Sequence, residues 1–168
     1  MIKDLSENRT VKIHESAFIA ESADIIGDVT VGKDSSIWYQ CVLRGDVMPI
    51  SIGEESNIQD HSMIHGTYQK AATVIGRRVN IGHRVTLHGC KIDDHCLIGM
   101  GSTIMDNAHI GHHCLVGAGS LVTENKIFPP GQLIVGSPAK VKRALTDEEI
   151  DFLDRYADKY LHYKSWYK

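Results

Sequence analysis

Aliphatic residues recur along most of the chain at intervals of six. Ile13, Ile19, Ile25, Val31, Ile37 and Leu43 form a first run; Ile52, Ile58 and Ile64 a second; Ile75, Ile81 and Leu87 a third. After a one-residue deletion the period resumes through Ile92, Ile98, Ile104, Ile110, Val116 and Val122. The residue two before each of these anchors is small or β-branched, from Val11 and Ala17 to Cys114 and Ser120, with Ile50 the one large member of the set. In a strand, residues i and i−2 share a face, so both sets point into one narrow core. Cys41, Cys90, Cys96 and Cys114 all occupy the inner, small set, which predicts buried, unpaired fillers. Glycine follows seven anchors, among them Gly53, Gly82 and Gly99. Such glycines suit corners with unusual dihedrals.

Short strand, corner, short strand at a fixed period of six argues for a parallel prism built of hexapeptide repeats. The pattern resembles the hexapeptide-repeat left-handed parallel β-helix, with three sides and about eighteen residues per coil, over roughly residues 11–135. The handedness rests on that resemblance alone. The fold class expected is all-β, a single-stranded left-handed parallel β-helix with a C-terminal α-helix. Residues 1–145 form the repeat domain and its lead-in, and 146–168 the appendage. In the latter, Thr146 and Glu149 make a T-x-x-E capping box. Ile150, Leu153, Ala157, Tyr160 and Leu161 follow at helical spacing, predicting a helix over about 147–162 that packs on the prism or on a neighbour.

Composition narrows the function classes. Hydrophobic residues make up 42% and charged residues 23% of 168, with a net charge of −3. That balance gives no electrostatic footprint for nucleic acid or an anionic membrane. The N-terminus lacks the apolar run of a signal peptide, and no apolar segment is long enough to span a bilayer, so a cytoplasmic location is expected. No C-x-x-C pair signals a zinc ribbon or a redox motif.

The anchors sort into three columns. One holds Ile25, Leu43, Ile64, Leu87, Ile104 and Val122, and the residues after three of these are Arg44, His65 and His88. These make a ladder up one edge at about 4.8 Å per coil, close enough for two imidazoles to converge on one metal ion. His83 belongs to the adjacent column, two residues past Ile81, and so to another part of the surface. A neighbouring copy about a three-fold axis could supply it. Asp60 then stacks one coil from His83, where it can support that ring.

Here the resemblance becomes specific. The stretches VLRGD (Arg44, Asp46), SNIQD (Asn57, Gln59, Asp60), MIHG (His65), IGHRVTLHGC (His83, His88), GMGS and VGSPAKVKR together look like the gamma-class carbonic anhydrase family, over most of the chain. The resemblance implies a homotrimer with zinc sites at its interfaces, His65 and His88 coming from one subunit and His83 from the next. Iron or cobalt serves in some members. It implies reversible hydration of CO₂ to bicarbonate by a metal-bound hydroxide, with Gln59 orienting the hydroxide, Arg44 and Asp46 paired near the interface, and a tyrosine, here Tyr160, near the site. Three neutral imidazoles leave a coordination position open for water and lower its pKa to about 7.

The blander readings stand beside these. Arg44 and Asp46 admit a purely interfacial role, Asn57 a backbone hydrogen bond at a corner, and Tyr160 simple packing. His14, His61, His95, His109, His112, His113 and His162 read as solvated surface. The GHHC stretch follows a glycine corner without partners in a neighbouring coil. Active members of the family carry a glutamate after the Arg-Gly-Asp stretch and a shuttling glutamate in an acidic loop. Here Val47 follows Asp46 and HGTYQKAATV has no carboxylate, so hydration should be slow, with His61 a distant candidate shuttle. Two rivals remain open: a hexapeptide acyltransferase with one catalytic histidine, and a non-catalytic trimeric metal-binding scaffold.

Overall fold

The structure, a computed structural model, describes residues 1–167. The last residue of the expected appendage, Lys168, lies outside the described residues. The six-residue period becomes short parallel strands that pair from coil to coil. Leu97 lies beside Leu115, Thr103 beside Leu121 and His109 beside Ile127. The insertions are looped out without loss of register, so Asn57 still faces Asn80 and His65 faces His88. The chain is thus a left-handed parallel β-helix closed by one C-terminal helix.

The anchors fill the prism. Ile25, Ile37, Leu43, Ile58, Ile64, Ile81, Leu87 and Ile98 are fully buried, each contributing about 1.5–3 kcal/mol of burial free energy. The inner small residues do more than fill space. Ser56 Oγ donates to the Gly76 carbonyl at 2.8 Å and Ser62 Oγ to that of Gly82 at 3.0 Å. Cys96 Sγ donates to the Gly111 carbonyl at 3.1 Å. A small donor at this position satisfies a corner carbonyl of the next coil that burial would otherwise leave unpaired. All four cysteines are buried and free, as expected. Burial pushes the Cys90 thiol up to about 12 and Cys41 to about 11, which keeps both protonated and unreactive.

The glycines that follow the anchors act differently from expectation. Their φ values are ordinary; the left-handed conformation falls three residues past the anchor, at Asp34, His61, Arg78, His95 and His113 among others. What demands glycine after the anchor is the close approach of successive coils. A Cβ on Gly53 would lie 2.4 Å from the Gly76 carbonyl, and one on Gly99 2.5 Å from the Ala118 nitrogen.

Two closures were not foreshadowed by the period. Ile2–Lys3 adds a strand beside Ile25–Ile26, and Gln132–Gly136 turns back antiparallel onto Ala139–Ala144, ending the solenoid. Helix α1, Asp147–Lys164, runs two residues beyond the expected end. Its capping box is complete: Thr146 Oγ1 accepts from the Glu149 nitrogen and Glu149 Oε2 from the Thr146 nitrogen. The helix packs on its own prism, burying Leu153 and Ala157. It descends one edge, the ammonium of Lys164 donating to Asp34 at 2.8 Å and Arg78 to Asp158 at 2.7 Å. No helix among the described residues is long and apolar enough to cross a membrane.

Candidate metal centre

Parallel register puts His65 directly beside His88 at the edge that follows Ile64 and Leu87. His65 Nδ1 and His88 Nε2 face each other at 3.2 Å. Their outer nitrogens are both engaged: His65 Nε2–H donates to Asp46 Oδ1 at 2.9 Å, and His88 Nδ1–H to Asp106 Oδ1 at 2.7 Å. With the protons fixed outward by carboxylates, two lone pairs converge on one point. Such a point suits a cation. Tetrahedral coordination with Zn–N bonds of 2.0–2.1 Å places neighbouring donors about 3.3 Å apart, close to the observed separation. Two imidazoles backed by carboxylates are the usual support for such an ion.

Both carboxylates are themselves held. Burial pushes Asp46 up, but the hydrogen bond from His65 and the Arg44 guanidinium bonded to it bring it below its ordinary value. Burial acts the same way on Asp106, where Thr67, His88 and Lys70 together pull it down. Thr67 Oγ1 donates to Asp106 at 2.6 Å, and Lys70 Nζ lies 3.1 Å from it. The sequence reading did not name Asp106, Thr67 or Lys70. Asp106 was legible in the column arithmetic, because it lies in the same corner position as Gly66 and Gly89, one coil on. Gly89 also explains its reach: at φ +60°, a Cβ there would lie 2.6 Å from Asp106 Oδ1.

His83 is elsewhere in the chain, as its column predicts. Among the described residues, no hydrogen bond or ion pair joins it to His65 or His88. Its Nδ1 lies 2.9 Å from Asp60 Oδ2, confirming the stacking of that carboxylate beside it, and its side chain is 44% exposed. Around it the structure gathers the remaining expected residues. His83, Gln59, Asn80, Met100, Tyr156 and Tyr160 line a cleft of about 190 Å³ between prism and α1. Gln59 Nε2 donates to Asn57 Oδ1 at 3.0 Å, and Asn57 donates in turn to Asn80. Asn57 therefore bonds side chains rather than corner backbone. Burial pushes the Tyr160 phenol well above its ordinary value, with Tyr156 and Asp60 adding to the effect, so it stays protonated. His61 lies in the shallow groove beside His83 with Arg84, Met100 and Gly101.

One chain thus carries two separate clusters: His65–His88 with Asp46, Arg44 and Asp106, and His83 with Asp60, Gln59, Asn57 and Tyr160. The reading of GHHC as lacking partners is overturned. His95 lies one coil below His113, their rings stacked 4.7 Å apart and 6° from parallel.

Residues 72–104 and 89–124 match the family described as bacterial transferase hexapeptide (six repeats). The chain is 44% identical over 162 residues to the protein named carbonic anhydrase of Geobacillus kaustophilus, covering 96% of this chain and 88% of that one. To gamma carbonic anhydrase 1, mitochondrial, of Arabidopsis thaliana it is 43% identical over 94% of its own length, but it spans only 62% of that longer protein. A hexapeptide transferase family protein from Anaplasma phagocytophilum superposes with a TM-score of 0.90 at 44% identity, covering 94% of this chain and 93% of that one.

Proposed function

The chain belongs to the gamma carbonic anhydrase family, and from that premise we propose that it interconverts CO₂ and bicarbonate at sites shared between the subunits of a homotrimer. The observation that carries this reading is the convergence of His65 Nδ1 and His88 Nε2 at 3.2 Å with both outer nitrogens bonded to carboxylates. The pair supplies two donors at an open edge, and an exposed His83 supplies the third from the next subunit. Zinc is the cation that three imidazoles fit best, with iron or cobalt compatible with the same donors. When bound, the cation is a Lewis acid that makes water a nucleophile near pH 7.

The chain's own residues do the rest. Asp46 and Asp106 hold the two rings in the tautomer that turns their lone pairs inward, and Arg44 and Lys70 hold those carboxylates. Asp60 does the same for His83. Gln59, fixed by the Asn57–Asn80 chain, keeps a carbonyl oxygen that accepts from no described residue and is available to orient water or bicarbonate. Tyr160, protonated, closes the apolar side of the cleft, which suits a small uncharged gas.

Metal content, mass in solution and stopped-flow CO₂ hydration on the same preparation test the reading. A trimer with metal at the interface histidines and a hydration rate that chelation abolishes supports it. A monomer, or a metal-loaded trimer with no hydration, overturns it, the second result favouring a scaffold. One observation favours an acyltransferase: His83 backed by Asp60 beside a cleft is a workable general base. That cleft is lined by no Lys or Arg and its 190 Å³ is small for a nucleotide thioester. Saturable acetyl-CoA binding by calorimetry would decide for the acyltransferase.

A further inference from the structure

A second histidine ladder stands on the edge that follows Ile92 and Ile110. His95 and His113 each lie three residues past an anchor and share the left-handed conformation, φ 59° and 53°. Equivalent positions one coil apart stack their rings. Asp154 of α1 reaches between them, its Oδ1 2.6 Å from His95 Nδ1 and 3.1 Å from His113 Nε2. The two ring nitrogens and the carboxylate oxygen all lie within 4.8 Å of one another.

The hydrogen bonding of this cluster is incomplete. His95 Nδ1 is buried and, despite its short distance to Asp154, has no hydrogen-bond partner. The contact is close but out of line. His113 Nδ1 lies 2.9 Å from His112 Nδ1. His113 Nε2 is in hydrogen-bond contact with Asp154 Oδ1, so that oxygen already serves His113 while the His95 nitrogen 2.6 Å from it is left unserved. A cation that takes the place of the His113 proton is held by that nitrogen and the Asp154 oxygen and engages the orphaned nitrogen of His95 as well.

We propose that His95 Nδ1, His113 Nε2 and Asp154 Oδ1 form a second metal site, complete within one chain, for a zinc-class divalent ion. Two imidazoles and one carboxylate favour Zn²⁺, Co²⁺ or Ni²⁺ over the hard, oxygen-seeking Ca²⁺ and Mg²⁺. Partial exposure of all three side chains leaves room for water at a fourth position. The site has a mechanical consequence. Asp154, Asp158 and Lys164 grip the edge through His95–His113, Arg78 and Asp34 in turn. Ten helical residues rise about 15 Å, matching about three coils at 4.7–4.9 Å each. The ion sits at the first of these grips and pins α1, which carries Tyr156 and Tyr160 over His83 and Gln59. This site is independent of the interface site and stands whether or not the chain hydrates CO₂.

The test uses the full chain, stripped by chelation, with Zn²⁺ alone as probe. Wild type should bind two Zn²⁺ per chain and Asp154→Asn one. A His65→Ala/His83→Ala chain, in which the interface site is dismantled, should still bind one. Within that background, Asp154→Asn or His113→Gln should weaken Zn²⁺ at least about tenfold. Hydrogen exchange should show Zn²⁺ slowing the amides of α1 in the background chain but not in its Asp154→Asn derivative. Asp154→Asn keeps the size of the side chain, and unchanged far-ultraviolet circular dichroism verifies the fold. No Zn²⁺ bound by the His65→Ala/His83→Ala chain, or equal affinity with and without Asp154→Asn in that background, overturns the proposal.

Discussion

His65 and His88 are held by carboxylates of their own prism and present converging nitrogens to an uncovered edge, whereas His95 and His113 share one carboxylate brought by α1. The same geometry underlies both. Any two side chains at equivalent corner positions of adjacent coils stand about 4.8 Å apart at the backbone, within reach of one ion. What separates the two edges is what covers them. Helix α1 completes one from within the chain. On the other, the inserted loop with Thr67 and Lys70 reaches only as far as Asp106, and in the proposed trimer a second copy brings the further ligand.

The largest effect that can break this contrast is complementation. His65→Ala and His83→Ala chains, each devoid of interface metal alone, should regain it when mixed and allowed to exchange subunits. A heterologous interface pairs an intact His65–His88 half with an intact His83 half at about a quarter of random interfaces. Metal analysis of the re-formed trimers reads this directly. No recovery despite proven exchange would mean that one chain supplies all the ligands. The His95 edge, complete in each chain, should keep its Zn²⁺ in both parents and in the mixture.

Next in size is proton removal, which hydration requires at the first edge and nothing requires at the second. Asp106 is bonded to His88, Thr67 and Lys70, and Glu124 is tied to Lys70 at 3.4 Å. The two carboxylates on the loop side of this rim are thus both tied to a lysine. Turnover in dilute buffer should be slow and rise with an imidazole-type buffer, within the 10²–10⁴-fold span of general acid–base catalysis. The His61→Ala chain should lose whatever rate remains at low buffer if that ring, beside His83, is the exit. Stopped-flow rates indifferent to buffer would reveal an internal route.

A smaller effect sharpens the comparison at one atom. Asp106→Asn should weaken metal at the His65–His88 edge by about 10–100-fold, the usual cost of losing a carboxylate behind a ligating histidine. Zn²⁺ affinity at His95–His113 should be unchanged. Competition titration with a chelator of known affinity measures both.

Much of this architecture is legible in the sequence. The period of six fixed the prism, its buried cysteines and the separation of His83 from His65 and His88, because column membership follows from counting alone. The capping box likewise announced α1. The carboxylate behind His88 was countable too but was passed over, since Asp106 belongs to no familiar motif. Asp154 was not countable. A helix joined by a hairpin can descend any of three edges, and only packing and the Arg78–Asp158 and Lys164–Asp34 pairs select one. The glycines misled for a physical reason: crowding between coils and left-handed φ both favour glycine, and sequence does not tell them apart.

The least effect concerns the start of α1, and it should reach the covered edge alone. Thr146→Ala removes the cap and should cost about 1 kcal/mol, lowering the melting temperature by about 2–4 °C for a chain of this size. Glu149 adds a pH dependence. Hydrogen bonds from Arg143, then from the Thr146 backbone, lower its carboxyl to about 2. A depressed folded value means that its stabilisation is present above the unfolded value of about 4.3. It is lost as pH falls from there toward about 2. Other lowered carboxylates, such as Asp46 and Asp106, share that acid limb, so the informative quantity is a difference. Wild type should lose stability relative to Glu149→Gln as pH falls through this window, measured by thermal melts at matched ionic strength. Over the same window the α1 amides of wild type should exchange faster relative to those of the variant. A difference between the two proteins that does not change with pH would show that the Arg143–Glu149 pair contributes nothing to holding the helix on its edge.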